Sequence, residues 1–249
     1  MSEILAPCGA MESLTAAVNA GADAVYLGEE YFSARKNADN FTAEQLCDAV
    51  RFCHYSGVKV YVTLNTLVFD REIPLLAKAI ENCAKADVDA FIVQDMGVAR
   101  LARQIVPELP LHASTQMTVN SPEGAIMAKE LGFTRVVLGR ELSLAQIKAI
   151  TESCDIETEL FVHGALCVCI SGQCYMSSVL GGRSGNRGLC AQPCRLDFTS
   201  GDRHNVLSLK DLSLTEKLPE LAKAGIISFK IEGRMKRPEY VAGAVNACR

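Results

Sequence analysis

Five times along this chain a helix-like stretch meets a small or polar break and continues into a short β-branched or aromatic run. The instances are NAGADAVYLG (19–28), YSGVKVYVTLN (55–65), KADVDAFIVQD (85–95), ELGFTRVVLGRE (130–141) and KAGIISFKIEGR (223–234). Gly21, Gly57, Gly132 and Gly225 stand where a left-handed residue ends a helix at no steric cost. The runs that follow are almost continuously apolar, as strands covered on both faces of a parallel sheet must be. Three further runs, Ile4–Cys8, Leu111–Met117 and Ile156–His163, bring the strands to eight. Helical patterns over Ala43–Ser56, Glu72–Ala86, Gly97–Val106, Pro122–Leu131, Leu144–Glu152 and Leu214–Ala224 fill most of the gaps.

Such an alternation, with right-handed crossovers returning to the same edge, predicts an α/β protein of the TIM (β/α)8-barrel type. The 249 residues match the size of that fold. A doubly wound open sheet is the competing arrangement, but it more often shows a glycine-rich phosphate fingerprint after its first strand, and none stands here. Residues 1–249 are therefore read as a single barrel domain. Its eighth helix, starting near Glu239, is expected to be cut short at Arg249.

The alternation breaks once. Strand seven and the helix at Leu214 are separated by a stretch rich in Gly, Ser, Cys and Arg, with the cysteine-rich insertion spanning about 165–205. A long connection with no periodicity of its own is usually functional. In a barrel it leaves from the C-terminal end of a strand, the face on which active sites form.

Composition matters for the cysteines. There are eleven, in a chain that opens without a basic and apolar leader, so a reducing, cytoplasmic setting is expected and a metal or redox use precedes a disulfide one. No run of about 18 apolar residues occurs, so no membrane span is expected. The net charge of −4 removes a global basic field, though a local patch can still meet RNA.

Cys167, Cys174, Cys190 and Cys194 all fall in the insertion. Four thiolates suit either zinc or an iron–sulfur cluster. Zinc ribbons generally use paired CxxC knuckles, and neither neighbouring pair here has that spacing. From Phe161 to Leu196 there is no Asp or Glu, while Arg183, Arg187 and Arg195 are present, which favours an anionic centre. Cys47, Cys53, Cys83, Cys154 and Cys248 are read as small buried apolar residues, and Cys169 as a neighbour of the site.

Nearly every strand ends in a polar side chain. Asn65, Gln116, Arg140, Lys230, Glu232 and Arg234 are the expected substrate-binding set at the barrel mouth, beside Gln94, Asp95, Ser114 and Glu141. His163 is the candidate general acid–base, because an imidazole titrates near working pH. Glu159, expected inside the barrel, orients a base or pairs with Lys230. Arg140, Lys230 and Arg234 suit a carboxylate or phosphate clamp.

The stretch ELFVHGALCVCISGQCYMS (159–177) resembles the signature of the collagenase-like peptidase family U32, with Glu159, Phe161, Gly164, Ala165, Leu166, Cys167, Gly172, Cys174, Met176 and Ser177 at its fixed positions. The opening ILAPCGAMESLTAAVNAGADAVYLG, SLKDL (208–212) and KIEGRMK (230–236) are similar to other blocks of the family, so the resemblance covers effectively the whole chain. It implies an oxygen-independent hydroxylase acting on a tRNA uridine, an rRNA cytidine or a ubiquinone precursor. It further implies prephenate, a small dicarboxylate, as co-substrate, and a 4Fe–4S cluster on Cys167, Cys174, Cys190 and Cys194, with zinc the lesser alternative. Members usually continue past the barrel. Two other functions stay open: a collagenase-like peptidase, for which Cys167 with His163 is the pair to name, and a non-enzymatic iron–sulfur scaffold.

Overall fold

The computed structural model describes residues 2–35 and 38–249. In chain order the elements are β1 (Glu3–Pro7), α1 (Met11–Asn19), β2 (Ala24–Gly28), α2 (Ala43–Tyr55), β3 (Lys59–Leu64), α3 (Ile73–Lys85), β4 (Ala90–Val93), α4 (Met96–Ile105) and β5 (Leu111–Ala113). Then follow α5 (Pro122–Glu130), β6 (Arg135–Val137), α6 (Leu144–Ser153), β7 (Glu157–Gly164), α7 (Met176–Gly181), β8 (Leu212–Ser213), α8 (Leu218–Lys223), β9 (Ser228–Ile231) and α9 (Pro238–Cys248). Strands β1 to β7 pair in sequence, β7 pairs β9, and β9 pairs β1, every contact parallel. The result is the closed eight-stranded barrel that the alternation predicts. The ninth strand, β8, lies antiparallel on the end of β7, with Gly164 opposite Leu212.

Local chemistry starts the helices where the sequence allows. Thr42 and Gln45 form a reciprocal capping box on α2, Ser143 and Gln146 do the same for α6, and the Asp95 carboxylate accepts from the Gly97 and Val98 amides of α4. The four glycines marked as helix stops all have positive φ, between 72° and 96°. Along β3 the alternation sends Val60, Val62 and Leu64 outward into the core under the helices, while Tyr61 enters the barrel. Leu14, Leu27, Leu46, Ile80 and Phe91 are among the fully buried side chains of that outer layer, each worth about 1.5–3 kcal/mol of burial.

The barrel interior is partly ionic. Next to an apolar cluster containing Leu5, Tyr26, Tyr61 and Ile92, Arg135 from β6 reaches Glu3 at 2.7 Å, Glu157 at 2.9 Å and Glu159 at 3.2 Å. Glu159 in turn accepts from Lys230 Nζ at 2.7 Å, the pairing expected from the sequence. Buried charges persist only when paired in this way.

Two elements are shorter than the pattern predicts. The run Leu111–Met117 is a strand only to Ala113, because the Ser114 hydroxyl accepts from the Gln116 amide and residues 115–117 wind into a 3-10 turn. The helix expected over Leu214–Ala224 begins at Leu218, after another such turn, with a proline in its first turn. Among the described residues no helix is long and apolar enough to cross a membrane.

Candidate active site at the barrel mouth

A cavity of about 220 Å3 opens at the C-terminal ends of the strands, and three sets of side chains surround it. Cations come from β9 (Lys230) and from the loops after β9, β2 and β6 (Arg234, Arg35 and Arg140). Amides and hydroxyls come from the ends of β3 and β5: Asn65, Ser114, Thr115 and Gln116. The third set is the four insertion cysteines, Cys167, Cys174, Cys190 and Cys194. All six residues expected to bind substrate therefore line one cavity, together with all four expected ligands.

The chain reaches this arrangement through a tight exit from β7. Gly164 has φ of 109°, and a Cβ there would stand 2.6 Å from the Glu232 carbonyl and 3.0 Å from the Tyr240 hydroxyl. Only glycine permits that approach of the two strand ends. Beyond it the main chain folds back on the sulfurs. The amides of Cys169, Met176 and Gln192 donate to Cys167, Cys174 and Cys190, each two residues earlier, at 3.5, 3.4 and 3.3 Å. The Ser177 hydroxyl lies 3.8 Å from Cys190 Sγ. Burial pushes the Cys194 thiol up and the nearby Cys167, Cys190 and Cys174 add to it, while Arg195 opposes. Among the described residues no three His, Cys, Asp or Glu side chains converge closely enough to hold a single metal ion.

The charged wall is sorted by its pairings. Arg35 grips Glu232 at 3.0 Å. Burial alone would raise the Glu232 carboxyl, but Arg35, Arg140 and Arg234 hold it below the ordinary carboxylate range. Arg234 donates to Ser33 Oγ at 2.6 Å and Thr63 Oγ1 at 2.8 Å. Burial, reinforced by Arg35, brings its guanidinium down to about 10. Arg140 donates to the Ala165 carbonyl at 2.9 Å and lies 4.9 Å over the Phe161 ring. Asn65 Oδ1 accepts from the Ala34 amide, and Gln116 Oε1 is buried with no partner among the described residues.

His163 is placed differently from its sequence expectation. It does not line the cavity; its Nδ1 lies 3.0 Å from the Tyr240 hydroxyl of α9. A register shift in β7 between Phe161 and His163 interrupts the alternation that would have turned it inward. The insertion arginines are also spoken for. Arg187 binds Glu72, and Arg195 donates to Ser208 Oγ, the Leu166 carbonyl and the Leu209 carbonyl.

Sequence reasoning missed Tyr26, Arg35 and Arg135. Tyr26 and Arg35 line the cavity, and Arg135 anchors the ionic interior. A signal for Arg135 existed: an arginine inside an apolar run needs a buried partner. Arg35 sits in an aperiodic loop that offered none.

Fold and site together define a (β/α)8 barrel whose polar, cationic cavity is rimmed by four thiols. The chain belongs to peptidase family U32, whose profile matches residues 9–249. It is 44% identical over 247 residues to the Escherichia coli 23S rRNA 5-hydroxycytidine synthase, a match covering 96% of this chain and 37% of that protein. It is 39% identical over 261 residues to the Bacillus subtilis tRNA hydroxylation protein P1, covering 99% and 62%. A Porphyromonas gingivalis collagenase is 38% identical over 261 residues, covering 96% and 62%. The chain thus spans between 37% and 62% of the length of these relatives. The structure of the U32 peptidase Mk0906 superposes with a TM-score of 0.67 at 15% identity, covering 95% of each chain, and shares the fold.

Proposed function

We propose that this protein is an iron–sulfur, oxygen-independent hydroxylase that modifies a pyrimidine of RNA in the cytoplasm, with prephenate as the small dicarboxylate co-substrate. The observation that carries the reading is the placement of four thiols and a cationic wall on one cavity, in a family with members named for rRNA and tRNA hydroxylation. Cys167, Cys174, Cys190 and Cys194 would hold a 4Fe–4S cluster. The residues fit it: amides already point at three of the sulfurs, and all four cysteines line the same cavity. The cluster would supply electron transfer or a Lewis-acidic iron beside the substrate.

The protein's own groups do the rest. Arg140 and Arg234 retain guanidinium donors for carboxylates, and Asn65 and Gln116 offer amides to a base edge. Glu232, held ionised, keeps Arg35 in place. A cysteine peptidase would instead need Cys167 activated by His163, and that imidazole is engaged by Tyr240 outside the cavity lining.

Anaerobic purification followed by iron and sulfide analysis tests the cofactor. Incubating the protein with unmodified RNA and prephenate, then digesting to nucleosides for mass spectrometry, tests the reaction. A brown protein that forms hydroxylated pyrimidine is expected. A colourless zinc protein, or one that cleaves denatured collagen and leaves RNA unchanged, overturns the reading.

A further inference from the structure

Among the described residues two lysines line the cavity, and they differ. Lys236 is exposed, whereas Lys230 is only 4% exposed, projecting from β9 into the barrel. Its Nζ lies 2.7 Å from Glu159 Oε1, 4.3 Å from the centre of the Tyr26 ring and 5.3 Å from that of Phe161. Two aromatic rings and one carboxylate therefore surround a single amine at the inner end of the cavity. The other Glu159 oxygen is shared by Arg135 at 3.2 Å and Ser228 Oγ at 3.5 Å, so that carboxylate does not serve Lys230 alone. Burial pushes the ammonium down and Arg234 adds to this, against the pull of Glu159, so the pKa ends below that of a free lysine. An amine desolvated beside other cations is the setting in which lysine acts as a nucleophile toward carbonyls.

The remaining donors indicate what sort of carbonyl compound would come. Arg35 is taken by Glu232. Arg234 uses only Nη1, toward Ser33 and Thr63, and Arg140 only Nη1, toward the Ala165 carbonyl; among the described residues nothing accepts from Nε or Nη2 of either. Two guanidinium edges are thus left for a carboxylate at the same cavity as the amine.

We infer that Lys230 forms an imine with the carbonyl carbon of an α-keto carboxylate held by Arg140 and Arg234. Nζ gives a proton to Glu159 and its lone pair forms the C–N bond, leaving the former carbonyl oxygen as a hydroxyl. The C–O bond then breaks and the oxygen departs as water, both of its hydrogens having come from Nζ, one relayed by Glu159. Ammonium and ketone give protonated imine and water, with no oxidant or reductant consumed. The product keeps one positive charge opposite Glu159, so the buried ion network stays balanced throughout. The inference extends the co-substrate part of the proposed function, since prephenate is an α-keto carboxylate, but it requires neither cluster nor RNA. Its failure is therefore separable from theirs.

The test is reductive trapping on the full chain. The protein is incubated with pyruvate or phenylpyruvate and cyanoborohydride, digested, and mapped by mass spectrometry. A secondary-amine adduct on the peptide carrying Lys230 is expected. Acetone, which lacks the carboxylate, should label that peptide at least about tenfold less, and Arg140→Gln should raise the keto acid concentration needed by roughly tenfold. Lys230→Arg, checked for folding by circular dichroism, should abolish the adduct. If Lys230→Arg does not fold, the wild-type peptide map decides alone. No adduct at Lys230 with saturating keto acid, adducts confined to exposed lysines such as Lys236, or equal labelling by acetone would each overturn the inference.

Discussion

Arg187 holds both carboxylate oxygens of Glu72, at 2.6 and 3.0 Å, while its guanidinium lies 4.6 Å over the Phe69 ring. Glu72 ends the turn that leads into α3, and Arg187 ends the turn just before Cys190. This pair fastens the cysteine-rich segment to the loop after β3, and Arg187 keeps the Glu72 carboxyl below its usual range.

Breaking the fastening should loosen Cys190 without unfolding the barrel. Hydrogen exchange on Glu72→Gln is expected to show lost protection around residues 183–192, with the barrel strands unchanged. A double-mutant cycle with Arg187→Lys should give a coupling of about 1 kcal/mol, the scale of a partly exposed pair. Unaltered protection of the segment would show that the pair does not organise it.

A cluster needs its four ligands as a unit. Cys167→Ser, Cys174→Ser, Cys190→Ser and Cys194→Ser should each lower bound iron and RNA hydroxylation to a similar degree, whereas Cys47→Ser, on α2 away from the cavity, should alter neither. Iron per chain and hydroxylated nucleoside per chain are the readouts. Full iron in Cys190→Ser with activity lost only in Cys167→Ser would instead indicate a lone nucleophile.

Arg135 carries the ionic interior. Replacing it by Met takes from half-buried Glu3 its cation partner among the described residues and leaves fully buried Glu159 with Lys230 only. Urea unfolding should show a loss of about 3–5 kcal/mol with an unchanged m-value.

Two glutamates should respond to pH with opposite signs. Glu232 titrates below its unfolded value, so its contribution is complete above an unfolded pKa of about 4.3 and disappears as pH falls through the folded value; Glu232→Gln should flatten the acid limb of stability. Burial lifts Glu29 to about 7, so folding loses stability as pH rises from about 4 toward 7. Glu29→Gln should remove that decline. Denaturant midpoints measured across pH 3–8 separate the two.

Much of the architecture was legible because its signals are local. Apolar runs, glycine stops and capping residues act within a few positions, and the strands they mark close the barrel. The four insertion cysteines were legible for a similar reason: they break a repeating pattern in a segment without carboxylates. Boundaries were less clear where side chains compete for the backbone, as Ser114 does after β5. The orientation of His163 was hidden because one irregularity in β7 reverses the alternation.

The sequence by itself thus determined the barrel, the face on which the cavity opens, and the six polar residues and four cysteines that line it, but not Tyr26, Arg35 or the orientation of His163. Tertiary structure decided which charges remain available. Arg35 meets Glu232 across 197 positions and Arg187 meets Glu72 across 115, and no periodicity reports such a pairing. Arg35, Arg135 and Arg187 are consumed by carboxylates that only chain closure brings near, whereas Arg140 and Arg234 meet no carboxylate among the described residues within salt-bridge distance. Charge is written residue by residue, but its availability is a property of the contacts, and those are long-range.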